Sequence, residues 1–185
     1  MDEIKFPDHI PKDAAVGTFA GGCFWCIESA FEGLEGVYDG ISGYSGGDED
    51  DASYMLVARG MTDHREAVQV FYDPTQVSYE DLCNTFWQYI DPTDPNGQFA
   101  DRGHQYTTAI FYHNEDQRKI AKQTKQELID SGKFNKPIVT EIIPYENFFK
   151  GEQRHQNFHQ QEPSYYERYK EGSGRGPFLR DTWGE

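Results

Sequence analysis

Cysteine is scarce in this chain, and long apolar runs are absent. The 185 residues contain three cysteines, a small and odd number that does not suit the disulfide framework of a small secreted protein. No stretch approaches 18 consecutive apolar residues, so the sequence predicts no membrane span. The first residues, 1–13, are acidic and interrupted by prolines, unlike the basic and apolar regions of a signal peptide. We therefore expect a cytoplasmic protein with no membrane partner.

Positive charge is also in deficit. The chain has 17 lysines and arginines against 32 aspartates and glutamates, which gives a net charge of -15 and argues against nucleic acid as a partner. Aromatic residues make up 15% of the chain, enough to build a packed core. A chain of this length suits one domain. We expect a monomer with a single domain over 1–185, an N-terminal extension at 1–14 and an irregular C-terminal tail at 148–185 wrapping the core.

The apolar pattern changes between strand and helix periods along the chain. It predicts strands at residues 15–20, 67–72, 107–112 and 137–143. The clearest helix follows Ser78, which forms a capping-box pattern with Asp81. An apolar stripe at helical spacing marks this helix: Tyr79, Leu82, Cys83, Phe86, Trp87 and Ile90. Another helix is predicted from Asn114 to Ser131. This order indicates an α+β fold, with helices packed on one mainly antiparallel sheet.

Two cysteines lie three residues apart in the stretch 21–26, which reads GGCFWC. A helix is predicted to start near Cys23, where unpaired N–H groups and the helix dipole stabilise a thiolate. Cys26 would follow one turn later, within reach of a disulfide. Three interpretations stay open: a pair of small buried residues, a mixed metal site with His155 and His159, and a redox pair. Redox chemistry is favoured, because a metal needs about four ligands and the aromatics between the thiols suit a substrate wall.

The remaining candidates are weaker when they are taken one at a time. Cys83 lies within the apolar stripe, where a free cysteine acts as a small core hydrophobe. Other polar or acidic side chains fall in a predicted Gly-rich turn, in loops or at the start of a strand: Tyr44, Tyr54, Glu66, Asp101 and Tyr106. A lone tyrosine of this kind usually packs against the core, and a lone strand-end carboxylate is usually solvated. None of them predicts a site alone.

The order of these segments resembles a known family. From about Gly17 to Phe158 the chain is similar to the peptide methionine sulfoxide reductases of the A type. The matching stretches are GGCFWCIE, GYSGG, SYMLVARGMTDHREAVQVFYDP, SYEDLCNTFWQYIDPT, DRGHQYTTAIFYHNEDQ, KPIVTEIIP and RHQNF. The resemblance implies a compact α+β fold with a ferredoxin-like core and a nucleophile at a helix N-terminus. It also implies a peptide-methionine (S)-S-oxide reductase, an oxidative-stress enzyme that repairs proteins and acts on free or protein-bound methionine sulfoxide.

The resemblance further implies the roles of individual residues. Cys23 is the implied nucleophile, and Glu66 is the acid that protonates the sulfoxide oxygen, which requires a carboxyl held neutral by an apolar pocket. Asp101 is expected to order the site. The hydroxyls of Tyr54 and Tyr106 would hold the sulfoxide oxygen. The rings of Phe24 and Trp25 would hold the substrate methyl group. No metal and no bound cofactor are expected.

A sulfenic acid formed on Cys23 must be resolved by a thiol. Many relatives use cysteines in the C-terminal tail, but this chain has none after Cys83. Cys26 stands where many relatives have glycine, so we expect a disulfide between Cys23 and Cys26 that thioredoxin, or dithiothreitol in vitro, reduces. The alternatives are a one-cysteine cycle resolved by an external thiol, a general thiol–disulfide oxidoreductase and a non-catalytic binder of methionine.

Overall fold

The computed structural model describes residues 1–184. Its strands are β1 (Ala15–Gly21), β2 (Val37–Ser45), β3 (Arg65–Tyr72), β4 (Gly97–Gln98), β5 (Asp101–Arg102), β6 (Thr108–Tyr112), β7 (Glu141–Pro144) and β8 (Phe149–Lys150). Its helices are α1 (Phe24–Glu32), α2 (Tyr54–Val57), α3 (Tyr79–Tyr89), α4 (Glu115–Asp130), α5 (Phe158–Gln161), α6 (Pro163–Gly172) and α7 (Arg175–Trp183). One-turn 3-10 helices lie at Glu49–Asp51, His104–Tyr106 and Gln153–His155.

Six of the strands form one sheet in the order β7-β6-β1-β3-β2-β8. Neighbouring strands are antiparallel, except for β6 and β7, which are parallel. The elements β1, α1, β2, β3, α3 and β6 follow a βαββαβ order, and their strands lie as β6-β1-β3-β2, which is the ferredoxin-like arrangement. The predicted α+β class and the mainly antiparallel sheet are therefore confirmed.

The central strand β3 is buried along its whole length. Because side chains alternate between the two faces of a strand, Val68 and Val70 join the main core under the helices, whereas Ala67 and Phe71 join clusters on the opposite face. The N-terminal residues help to cover that face, since the ring of Phe6 packs at 5.2 Å from the ring of Phe71. The same alternation places Glu66 on the face that carries α1.

The predicted capping box of α3 is present. The Ser78 hydroxyl accepts a hydrogen bond of 3.0 Å from the Asp81 N–H, and the Asp81 carboxylate accepts one of 2.9 Å from the Ser78 N–H. The whole apolar stripe that predicted this helix is buried. Helix α4 likewise begins after Asn114, whose side chain accepts from the Gln117 N–H.

Two predictions about strands were wrong. Residues 43–47 were expected to form a turn, but Tyr44 lies in β2 and is fully buried. Gly43 serves close packing instead, because a Cβ there would lie 2.3 Å from the Phe149 carbonyl oxygen of β8. The strand expected over 137–143 pairs only from Glu141 onward, since the Val139 N–H donates to the Pro92 carbonyl instead.

The C-terminal tail was predicted to be irregular, and this is wrong for residues 163–183. Helix α6 begins at Pro163, a favoured first position because proline lacks the N–H that would remain unpaired there. Gly174, at a φ of +97°, separates α6 from α7. Neither helix presents a broad apolar stripe, which is why the pattern did not predict them. No helix formed by residues 1–184 has the length and apolar character needed to cross a membrane.

Candidate active site

Cys23 is the N-cap residue of α1, directly after β1. The connection depends on Gly22, which has a φ of +84°, and a Cβ there would lie 2.6 Å from the Cβ of Gln98. Only glycine fits such a position without strain. The Cys23 side chain is 6% exposed, and it lines a cavity of about 150 Å³. That volume corresponds to about five water molecules, so the cavity suits the end of one side chain.

The cavity brings together residues that are far apart in the sequence. Its walls are formed by Cys23, Phe24, Trp25, Tyr54, Glu66, Asp101, Tyr106, Tyr165 and Tyr169. Every predicted catalytic and substrate-binding residue except Cys26 is in this set. Cys26 is fully buried behind the cavity wall, one helical turn from Cys23.

Glu66 lies close to the start of α1. One of its carboxyl oxygens accepts a hydrogen bond of 3.0 Å from the Phe24 N–H, the first unpaired amide of the helix. Burial raises the pKa of the Glu66 carboxyl to about 8, although this hydrogen bond lowers it and Asp101 raises it further. The carboxyl therefore keeps its proton at neutral pH, as a general acid must.

Tyr54 and Tyr106 carry their hydroxyl groups to the cavity from two short helices. Tyr54 was expected in a loop, but it begins α2, and its N–H donates to Glu152 at 3.1 Å. The same carboxylate accepts a hydrogen bond of 2.8 Å from the Tyr44 hydroxyl. Burial raises the pKa of Tyr54 to about 12 and raises that of Tyr106 as well. Both hydroxyls therefore remain protonated and can donate hydrogen bonds.

The Trp25 ring is fixed by residues of the C-terminal part of the chain. It stacks on Phe158 with 3.8 Å between ring centroids and an interplanar angle of 10°. Its Nε1–H donates to His155 Nδ1 at 3.2 Å. The ring of Phe24 lies 5.2 Å from that of His155. These contacts hold an aromatic wall on one side of the cavity.

All three cysteines are free thiols. A hydrogen bond from Cys23 lowers the pKa of Cys26 to about 7, and the positive charge of Arg175 lowers it further, against the effect of burial. Burial raises the pKa of Cys23 well above its ordinary value. In the ligand-free site, burial therefore opposes the Cys23 thiolate that the helix N-terminus was expected to favour. Cys83 is buried in the core, and burial raises its pKa to about 12, as expected for an inert thiol.

The two histidines of the alternative metal site do not meet the thiols. His155 Nδ1 accepts from Trp25, and His159 Nε2 pairs with Glu32 at 3.1 Å. Among residues 1–184, the side chains spaced for a metal ion are Glu28, Glu32 and His159. The mixed cysteine–histidine interpretation is therefore wrong.

Several residues of the site were missed at the level of sequence. Tyr165 and Tyr169 of α6 line the cavity, and the Tyr169 hydroxyl donates a hydrogen bond to Asp101. A signal was present, because two tyrosines four residues apart lie on one face of a helix, and Pro163 can start that helix. Glu152, which anchors two tyrosines, offered no such signal.

Comparisons with known proteins agree with this site. The family model described as peptide methionine sulfoxide reductase matches residues 15–185. The peptide methionine sulfoxide reductase MsrA of Bacillus subtilis (strain 168) is 48% identical over 169 residues, 91% of this chain and 96% of that protein. MsrA of Listeria monocytogenes serotype 4b is 48% identical over 166 residues, 90% of this chain and 94% of that protein. The structure of Mxr1 from Saccharomyces cerevisiae in reduced form matches with a TM-score of 0.78 at 31% identity, covering 84% of this chain and 90% of that one. With its thiol, carboxyl and tyrosines gathered on one cavity, the chain belongs to the peptide methionine sulfoxide reductase family.

Proposed function

We propose that this protein reduces the S epimer of methionine sulfoxide, free or within proteins, to methionine. One observation carries the proposal: a cysteine sulfur and a carboxyl with a pKa of about 8 face the same small cavity. A sulfoxide sulfur is electrophilic only when its oxygen is protonated or strongly hydrogen-bonded, so this pair suits the reaction. We extend the proposal to a monomer with one catalytic domain that needs no bound metal or cofactor.

In the first step, Cys23 attacks the sulfoxide sulfur and its proton passes to Cys26 along the hydrogen bond between the two thiols. Glu66 gives its proton to the sulfoxide oxygen, which moves to the Cys23 sulfur as the substrate S–O bond breaks. The substrate gains two electrons and leaves as methionine, and Cys23 becomes a sulfenic acid. The tyrosine hydroxyls of Tyr54 and Tyr106 bind the oxygen, and Asp101 holds its loop in place through Tyr169.

In the second step, Cys26 resolves the sulfenic acid. Its sulfur forms a bond to the Cys23 sulfur, the S–O bond of the sulfenic acid breaks, and hydroxide leaves with the Cys26 proton as water. The two thiols lie one helical turn apart and already share a hydrogen bond, so little movement is required. Solvent returns a proton to Glu66.

A thioredoxin would then reduce the disulfide. The yeast relative Mxr1, whose reduced-form structure matches this chain at 31% sequence identity, has also been solved in complex with Trx2. We propose a reductant of the same class for this chain, with dithiothreitol replacing it in vitro.

Mass spectrometry after one turnover without reductant tests the proposal. The S epimer should yield one equivalent of methionine and a Cys23–Cys26 disulfide, whereas the R epimer should yield neither. Cys23→Ser should abolish methionine formation. Cys26→Ser should form methionine more slowly, accumulate a sulfenic acid and lose turnover with thioredoxin while keeping it with dithiothreitol.

Cys83→Ser is the matched control, because it removes a buried thiol outside the cavity and should leave the disulfide unchanged. Full thioredoxin-dependent turnover by Cys26→Ser would instead establish the one-cysteine cycle. Reduction of insulin without consumption of either sulfoxide epimer would indicate a general thiol–disulfide oxidoreductase.

A further inference from the structure

Arg175, the first residue of α7, is a buried cation without an ionic partner. It is only 1% exposed, and among residues 1–184 no carboxylate forms an ion pair with it. Burying a charge is costly unless it is paired and hydrogen-bonded. By contrast, Arg180 on the same helix is exposed and pairs with Glu171. The position of Arg175 therefore requires a compensating group.

The hydrogen bonds of Arg175 compensate for only part of this cost. Nη1 donates to the Tyr89 carbonyl at 2.5 Å, and Nη2 donates to the Gly21 carbonyl at 2.9 Å. The ring of Phe99 lies 4.8 Å from the guanidinium carbon. Phe99 has a φ of +55°, a conformation that costs free energy for a residue with a side chain. Carbonyl and ring dipoles carry only partial charges, so the full positive charge remains without a counter-ion.

The guanidinium lies against the segment that bears the two thiols. A Cβ on Gly22 would be 2.9 Å from Nη2, and Gly22 directly precedes Cys23. The positive charge acts on Cys26, which is fully buried. Arg175 therefore lies against the segment that carries both cysteines, close enough for its charge to favour the Cys26 thiolate.

A second group on the C-terminal helices points to the same sulfur. Tyr166 is 3% exposed, and its hydroxyl makes no well-formed hydrogen bond in the reduced protein, yet it lies against Cys26 and favours its thiolate. A buried hydroxyl without a partner is unusual, and a charged sulfur would satisfy it. The titratable and charged groups that act on Cys26 come from α6, α7, β3 and α1 itself: Tyr166, Tyr169, Lys170, Arg175, Glu66 and Cys23.

We propose that Arg175 is a positioning residue that serves as the counter-ion of Cys26 and, with the Tyr166 hydroxyl, holds its sulfur as the thiolate that attacks the Cys23 sulfenic acid. This inference rests on the proposed function, because it assumes that Cys26 is the resolving cysteine. The cation adds no atoms to the step. It favours the charged sulfur as the Cys26 proton passes to the sulfenic oxygen, the S–S bond forms and that oxygen leaves as water.

Thiolate absorbance near 240 nm in a Cys23→Ser background tests the electrostatic part directly, because Cys83, with a pKa of about 12, stays protonated. The Cys26 midpoint in this background is the reference value, because the Cys23 thiol that lowers the Cys26 pKa most is absent. Arg175→Met should raise the midpoint by at least about one unit, which lowers the thiolate fraction about tenfold at a pH well below both midpoints. Arg175→Lys should keep the midpoint close to that of the protein with Arg175. Tyr166→Phe should raise the midpoint by less than Arg175→Met does, and Arg180→Met should leave it unchanged.

Single-turnover kinetics test the consequence for the reaction. In the Cys23-containing protein, where the Cys26 pKa is about 7, Arg175→Met should slow formation of the disulfide about fivefold near pH 7, and the deficit should shrink as the pH approaches 9, where the thiolate forms unaided. A residue needed only for packing would slow the step equally at every pH. If Arg175→Met does not fold, Tyr166→Phe should show a smaller deficit with the same pH dependence, and Arg175→Lys should keep the wild-type profile.

The outcomes separate this inference from the function beneath it. If Cys26→Ser abolishes the disulfide but the Arg175 variants keep the wild-type midpoint and pH profile, the inference is wrong and the proposed function stands. If Cys26→Ser leaves thioredoxin-dependent turnover intact, the proposed resolving step itself is wrong.

Discussion

For single residues, the chemistry of the site depends on where protons are held. Glu66 and Glu28 are both buried carboxyls whose pKa burial raises to about 8. Only Glu66 faces the cavity. Glu28 instead binds the Ser42 hydroxyl and the Asn157 N–H, and so connects α1 to β2 and to the start of α5. The same shift therefore suits the proposed proton transfer at one position and packing at the other.

Glu66→Gln is expected to lower the rate of methionine formation by about 10²–10⁴-fold, because an amide cannot supply the proton. In the wild-type protein the proton is present below the Glu66 pKa of about 8 and is lost above it. Single-turnover rates should therefore fall as the pH rises through 8, and this alkaline limb should vanish in the variant.

Glu28→Gln is the matched control for that experiment. It removes a buried carboxyl with a similar pKa from outside the cavity, so the rate and the alkaline limb should both persist. An alkaline limb that remains in Glu66→Gln would show that another group supplies the proton.

Among the helices, α3 illustrates how local sequence stabilises an element. The reciprocal bonds of Ser78 and Asp81 satisfy amides that the helix leaves unpaired. Ser78→Ala should therefore lower the free energy of unfolding by about 1 kcal/mol, measured by urea denaturation, while activity stays unchanged because neither residue lines the cavity.

A double-mutant cycle with Asp81→Ala sharpens this prediction. The free energy of unfolding lost in the double variant should be smaller than the sum of the losses in the two single variants, because either change removes the hydrogen bonds that the two residues share. Glu80→Ala, an exposed first-turn acid outside the capping box, is the control. Strict additivity would contradict the reciprocal cap.

Helix α5 supports the substrate wall rather than the core. Because the Phe158 ring lies 3.8 Å from that of Trp25, Phe158→Ala should free the tryptophan and raise KM roughly tenfold, more than it lowers kcat. Phe134→Ala, which removes another partly buried ring away from the cavity, should reduce stability without raising KM. Equal effects of the two variants on KM would contradict the role of the stack.

Across the whole molecule, the net charge of -15 sets how substrates approach. Acidic residues at 48–51 directly precede α2, which carries Tyr54 at the cavity. Peptides in which lysines flank methionine sulfoxide should show a several-fold higher kcat/KM than peptides with flanking glutamates at about 20 mM salt, and the gap should narrow at about 300 mM salt.

Changing Glu49 and Asp50 to lysine should reduce the preference at low salt. The control changes Glu115 and Asp116, exposed acids that start α4, to lysine. It has the same total charge and should reduce the preference for lysine-flanked peptides less. A preference that does not depend on salt would indicate direct contacts rather than steering by the overall charge.

Much of the fold followed from local sequence. The stripe from Tyr79 to Ile90 and its capping residues predicted α3 because helical period and end signals agree. The stretch 21–26 predicted a nucleophile at a helix start, and the resemblance of the ordered segments added Glu66 and the tyrosines. These features depend on neighbours a few residues apart, so the sequence alone determined them.

Other features were decided only by tertiary structure. Burial beneath α1 raises the pKa of Glu66, and the charge of Arg175 and the neighbouring Cys23 thiol lower the pKa of Cys26. Helices α6 and α7 were missed because their few buried residues do not form an apolar stripe. Electrostatic effects depend on distances in space. Residues more than a hundred positions apart in the chain lie close together in the fold, and no local sequence pattern predicts this.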